Sequence, residues 1–367
     1  MQEDGMRNHK NGLLFVFATI CLIDFGPIGS ASALRPQDNP SRIFPLPEVE
    51  RPHQICVENG KVYIADANDI LVYDFREGRF LRRIGKKGQG PGEFSSRPGR
   101  MAVLSGRLSV ENLNRLEFFS LDGDYINGIV EPGFQGFLPF LPVGKNYVGF
   151  PMEYLDDGSL SPPAGWIYDQ TLKPQKKFYA DLPMGPPPPP PPGSVSSGKT
   201  DVLMVRDFAD AIVDSGKIYV ADSRKGLFIS VFNENGDLLY KIRHSLGEVK
   251  VPRGYLAALI KERRASKYWN SIYAHQNPVV PDYFPDFVGF KIDAGRIYAV
   301  RPVEKDGLYE VVVLDLKGRI LERSFRFPLT PDFEMPARKS FLYDVEENRF
   351  VWFAYNDAKE MYELHIR

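Results

Sequence analysis

One seven-residue phrase recurs along the chain. Gly60-Lys-Val-Tyr-Ile-Ala-Asp66 returns as Gly216-Lys-Ile-Tyr-Val-Ala-Asp222. Weaker copies stand at Gly106-Arg-Leu-Ser-Val110, Gly144-Lys-Asn-Tyr-Val148, Gly295-Arg-Ile-Tyr-Ala299 and Asn348-Arg-Phe-Val-Trp352, six in all. Their first residues are separated by 46, 38, 72, 79 and 53 positions. A period of about 40 to 50 residues is what four-stranded propeller blades require, because each blade must bury its faces against the next. The two long steps each hold an insertion: the seven prolines from Pro186 to Pro192, and the polar, helix-prone stretch Arg253–Asn270.

The grammar around each copy is that of four short strands. Gln54–Val57, Lys61–Ala65, Ile70–Asp74 and Phe80–Ile84 alternate with turns in the first repeat. Ala211–Val213, Tyr219–Ala221, Ile229–Phe232 and Leu238–Ile242 repeat the pattern, as do Val288–Ile292, Val311–Leu314 and Ile320-Leu321. The last copy supplies only Phe341–Tyr343, Phe350–Tyr355 and Tyr362–Ile366 before the chain ends. A three-stranded final blade leaves an open edge, so Arg42–Leu46 is expected to close the ring beside the C-terminal strand. The predicted fold is therefore all-β: a six-bladed β-propeller of four-stranded antiparallel blades over residues 34–367. A proline-rich loop at 183–200 and one helical insertion at about 253–270 interrupt it.

Composition agrees with many short strands and turns: 26 Phe and 18 Tyr stand with 32 Gly and 31 Pro. Net charge is −1, which gives no bulk attraction to nucleic acid or anionic lipid. At the N-terminus Arg7 and Lys10 precede the apolar run Leu13–Ile23, and Ala31-Ser-Ala33 follows. This is the plan of a secretory signal peptide over residues 1–33, and it predicts export to the periplasm or cell surface. An uncleaved anchor, or a lipoprotein attached through Cys21, stays open. Cleavage after Ala33 leaves one cysteine, Cys56, in an apolar strand, where a buried and inert thiol is expected.

Gly60–Asp66, the strand Ile70–Asp74 and the Gly-rich Arg82–Phe94 together resemble the NHL-repeat, six-bladed β-propeller family of exported bacterial proteins. The resemblance implies that Gly85–Gly92 is an inter-blade turn and that Asp66 and Asp222 bind turn backbone. Some propellers of similar kind are enzymes. A peptide-amidating lyase holds zinc through histidines, and gluconolactonase-like propellers hold a divalent cation through carboxylates and Asn.

Two motifs read as coincidences. Gly193–Thr200 spells G-x-x-x-x-G-K-T, whose phosphate chemistry needs a strand before the loop and a helix after it. Prolines stand in front instead, and Asp201–Val205 reads as extended. Gly85–Gly92 likewise leads to no helix that could hold a pyrophosphate. No nucleotide is expected.

Candidate ligand contacts are the polar residues near the starts of inner strands: His53, Arg97, Arg100, Arg206, Asp207, Asp286 and Arg301, with Asp210 and Asn277 nearby. Both signs of charge suit a polar or anionic ligand better than a bare metal. Of the five histidines only His53 is placed to reach the axis, so a three-histidine zinc site is not expected, and no metal or cofactor is predicted. The expected function is non-enzymatic recognition of a protein, peptide or glycan by a monomer. The alternative is a metal-dependent lactonase or lyase carrying Ca²⁺ or Zn²⁺.

Overall fold

At the repeated phrase the chain turns through two residues that both take positive φ. The pairs are Asn59 and Gly60 (54° and 71°), Ser215 and Gly216 (47° and 72°), Ala294 and Gly295 (47° and 73°), and Glu347 and Asn348 (52° and 59°). Two successive left-handed residues make the turn that matches strand twist in a tight hairpin. The phrase thus fixes a hairpin, and its apolar residues then decide what that hairpin buries. Its tyrosines Tyr63, Tyr219 and Tyr298 are buried. The hydroxyl of Tyr298 donates to Asn348 Oδ1 of the following repeat, at 3.0 Å.

The computed structural model describes residues 42–104, 106–112, 115–130, 136–152, 161–180, 182, 200–205, 207–263, 276–303, 308–328 and 342–367. These lie within one compact unit, Asp38–Arg367. The signal-peptide reading, Cys21, the prolines at 186–192, the glycine-lysine motif at 193–199, Arg206 and His275 fall outside the described residues.

Six antiparallel sheets of four strands follow one another. Blade one is β2 (Pro52–Glu58), β3 (Lys61–Asp66), β4 (Asp69–Asp74) and β5 (Phe80–Ile84). Blade two is β6 (Met101–Leu104), β7 (Arg107–Asn112), β8 (Arg115–Ser120) and β9 (Tyr125–Val130). Blade three is β10 (Gly136–Val143), β11 (Asn146–Pro151), β12 (Gly165–Tyr168) and β13 (Pro174–Tyr179). Blade four is β15 (Ala209–Asp214), β16 (Lys217–Asp222), β17 (Leu227–Asn233) and β18 (Leu238–His244). Blade five is β20 (Gly289–Asp293), β21 (Arg296–Pro302), β22 (Leu308–Asp315) and β23 (Ile320–Pro328). Blade six is β24 (Tyr343–Glu346), β25 (Arg349–Asn356) and β26 (Met361–Ile366), completed by β1 (Arg42–Leu46).

β1 pairs antiparallel with β26, Arg42 opposite Ile366 and Leu46 opposite Tyr362. The first strand therefore closes the ring as its sequence requires, and β2 packs beside β24. Apolar clusters fill the spaces between blades. Phe94, Phe119 and Tyr63 lie between blades one and two, and Leu227, Ile229, Phe287 and Phe290 between four and five. Each such side chain contributes about 1.5–3 kcal/mol by leaving water. Gly85, at φ 72°, gives room to the Phe94 ring, which a Cβ there would meet at 2.2 Å.

Two details differ from the sequence reading. In blade six the inner strand begins at Tyr343, where the expected strand ended, and the buried Leu342 precedes it. The two insertions also join each other: β14 (Thr200–Leu203) and β19 (Gln276–Val279) form a parallel ribbon, Thr200 opposite Gln276. The helix α1 (Tyr255–Arg263) packs Leu256 and Leu259 against buried Met204 beside that ribbon. Thr200 thus opens a strand, so no helix follows the glycine-lysine motif.

Candidate functional site

Strand direction alternates within a blade, so the start of the inner strand, the loop between second and third strands, and the link to the next blade share one end of the ring. His53, Arg97, Arg100, Asp207, Asp210, Asp286 and Arg301 all lie toward that end. Their side chains separate into two groups. His53 is buried, with Nε2 2.8 Å from the Pro98 carbonyl, which ties blade one to the approach of blade two. Arg97 is exposed on that same approach. Arg100 donates to Asp210 Oδ1 at 2.6 Å and to the Ala211 carbonyl at 2.7 Å, so both charges serve the ring's interior. Arg301 is 4% exposed and donates to the carbonyls of Leu246 and Gly247, with Glu310 3.6 Å away. Burial, and after it the nearby Arg323 cation, push its guanidinium down from its ordinary value against the pull of Glu310. Arg301 therefore positions the link between blades four and five.

Asp207 and Asp286 belong to the second group. They line a cleft of about 500 Å³ over blades four and five, with Asp201, Leu203 and Val205 of the ribbon segment, Ser223, Arg224 and Gly226 of the β16–β17 loop, Glu248, Pro281, and Tyr283, Phe284 and Pro285. Its walls are fixed by backbone pairing: Val251 N donates to Asp282 O and Phe284 N to Val249 O, each at 2.9 Å. Tyr255 of α1 meets Phe284 edge-on, with ring centroids 5.2 Å apart. Below, Phe208 and Phe287 pack edge to face at 5.3 Å. Ser223 Oγ donates to Asp207 Oδ1 at 3.1 Å and accepts from Phe208 N at 2.7 Å. Asn277 reaches Asp201 Oδ1 across the ribbon, at 3.5 Å.

Electrostatics set the cleft's character. Arg224 forks onto fully buried Asp222, Nε to Oδ1 at 2.9 Å and Nη2 to Oδ2 at 2.7 Å. That pair balances its charge, and holds its guanidinium above its ordinary value. Tyr179 beside it is pushed up to about 12 by burial and then by Asp222. Asp201, Asp207, Glu248 and Asp286 consequently leave the described lining acidic. Tyr283 adds an aromatic ring to the wall, 39% exposed. A volume of this size with a few fixed polar groups is typical of small-ligand sites.

Asp66 accepts from the amides of Glu50 and Arg51, and Asp222 from Arg224 N, so both repeat aspartates bind backbone. Cys56 is buried and unbridged, and burial pushes its thiol far up. Among the described residues no group of three or more His, Cys, Asp or Glu has the geometry to hold a metal ion. Among them, too, no helix is long and apolar enough to cross a membrane.

A family model described as 6-bladed beta-propeller matches residues 47–133. The fold is that of a six-bladed β-propeller. Among solved structures, this propeller is similar to a protein of Bacteroides fragilis NCTC 9343 described as exported. Identity is 13%, with 91% of this chain and 96% of that chain covered, and a TM-score of 0.50. BamB from Moraxella catarrhalis aligns at 10% identity over 84% of this chain and 80% of its own, with a TM-score of 0.33. Hsv2 of Kluyveromyces lactis aligns at 8% over 86% and 98%, with a TM-score of 0.37. No curated protein matches the chain.

Sequence reasoning missed Arg224, Glu248, Tyr283 and Phe284. A usable signal was present: Tyr283-Phe284 stands between Pro281 and Pro285, an aromatic pair outside any strand pattern.

Proposed function

We propose that this propeller is an exported, non-enzymatic binding protein of the periplasm or cell surface, and that a polar ligand, a peptide or a glycan, sits in the cleft over blades four and five. The observation that carries the reading is the cleft itself. Its acidic groups and the exposed Tyr283 ring are held by backbone pairing, so little ordering is lost when a ligand arrives. The excess of carboxylates favours a ligand rich in hydrogen-bond donors, such as sugar hydroxyls or basic side chains. Export rests on the N-terminal apolar run with its basic flank, and the exported description of the Bacteroides neighbour is consistent with it. The likeness of Gly60–Asp66 and Arg82–Phe94 to NHL repeats belongs to the same proposal.

The test is a glycan and peptide array probed with the mature protein and with Tyr283→Ala and Asp286→Asn. Any ligand found should bind each variant at least about tenfold more weakly, with thermal stability kept. Full affinity in both variants would move the site elsewhere.

A further inference from the structure

The outer strand of blade four, β18, is basic and exposed along most of its length. β18 pairs with β17 on one side and is the last strand of its sheet. Alternation places Leu239, Lys241 and Arg243 on one face, while Ile242 points the other way and is buried. Lys241, Arg243 and Lys225 all lie over the ring of Phe228, at 6.0, 5.5 and 5.1 Å from its centroid. Among the described residues none of these three cations has a carboxylate partner. Several outer-strand cations elsewhere are paired: Arg82 of β5 lies by Asp122, Arg83 by Asp69, and Lys176 of β13 by Asp237. Leu238 and Leu239 at the start of β18 are 50% and 47% exposed.

We propose that β18 docks an extended acidic segment of a protein partner, which adds to blade four as a fifth strand. An outermost strand presents backbone N–H and C=O groups to an incoming chain, and side chains on alternate positions select which chain enters. Lys241 and Arg243 are two residues apart on one face, about 6.6 Å along the strand, the repeat of side chains in a facing strand. Carboxylates at alternate positions of the partner therefore meet both cations at once, and an apolar residue two positions further meets Leu239. Lysine on an edge strand ordinarily discourages pairing. Here it turns away basic strands and admits acidic ones. A glycan gains less from this surface, because the three cations cover Phe228, only 7% exposed, and leave no bare ring for a sugar to stack on.

The probe is a fluorescent peptide of about nine residues, the length of a long strand, with two glutamates at alternate positions among valine and threonine. A second peptide of equal charge carries proline between the glutamates. Anisotropy at about 0.15 M salt should show saturable binding of the first peptide. Binding should be at least about tenfold weaker with the proline peptide and with Lys241→Glu combined with Arg243→Glu. If that variant loses thermal stability, Lys241→Gln with Arg243→Gln takes its place. Absence of saturable binding overturns the proposal, as does equal binding of the proline peptide or unchanged affinity of the charge variant.

Discussion

Arg100 and Asp210 stand 110 residues apart, in blades that blade three separates around the ring, yet their side chains meet at 2.6 Å. Asp210 lies on the inner strand of blade four and Arg100 directly precedes that of blade two, so the pair bridges the axial side of the ring. The side chains are only 4% and 11% exposed. Removing one partner strands a buried charge, which costs far more than the pair itself contributes. Arg100→Ala is expected to lower unfolding free energy by about 3 kcal/mol, and Arg100→Met with Asp210→Leu by distinctly less. Urea unfolding of the three proteins checks this; equal losses in single and double variants would deny the bridge.

Ring closure depends on five residues. β1 covers the edge of β26, and Leu46 is fully buried among blades six and one. Deleting residues 42–46 should cost at least about 2–5 kcal/mol, the range for one such buried leucine. It should also expose β26 to pairing between molecules. Light scattering after size exclusion is expected to show concentration-dependent association; a stable monomer of unchanged melting temperature would refute the assignment.

At the opposite end of the ring, four repeats place a carboxylate two positions before the turn's second residue: Glu58, Asp214, Asp293 and Glu346. Burial pushes Glu58 up to about 7, helped by Glu346, Asp344, Asp293 and Asp214. Glu346 and Asp293 are raised for the same first reason. A raised carboxyl binds more protons folded than unfolded, so this group's contribution falls as pH rises from about 4.5 to about 7. Glu58→Gln should therefore raise the melting temperature at pH 8 and change it little at pH 5. Thermal melts at both values decide it.

The helix meets the cleft wall where Tyr255 packs against Phe284. Edge-to-face pairs contribute about 0.5–1.5 kcal/mol beyond the area they bury. Tyr255→Ala should thus weaken a cleft ligand by roughly two- to tenfold while the melting temperature moves little. Titration calorimetry with a ligand from the array measures both affinity and enthalpy.

What was legible in the sequence was whatever is local and repeated. Hairpin turns at Asn59-Gly60 and Ser215-Gly216, the alternation in Lys61–Asp66, and the missing fourth strand of blade six each follow from a few neighbouring residues. Pairing of Thr200–Leu203 with Gln276–Val279 does not. Both segments are short, lie 76 residues apart and pair in parallel, so neither carries a turn signal for the other. The same limit governed the arginines. Arg100 and Arg301 look like ligand contacts in sequence because Asp210, Glu310 and the Leu246 carbonyl come near them only in the folded ring.

The most direct measurement is hydrogen exchange of the protein with and without a saturating ligand from the array. Slowed exchange confined to residues 201–207, 223–226, 246–250 and 281–286 is the predicted result, since these segments build the cleft. Protection centred instead on the turns after Glu58, Asp214 and Asp293, at the other end of the ring, would contradict the account.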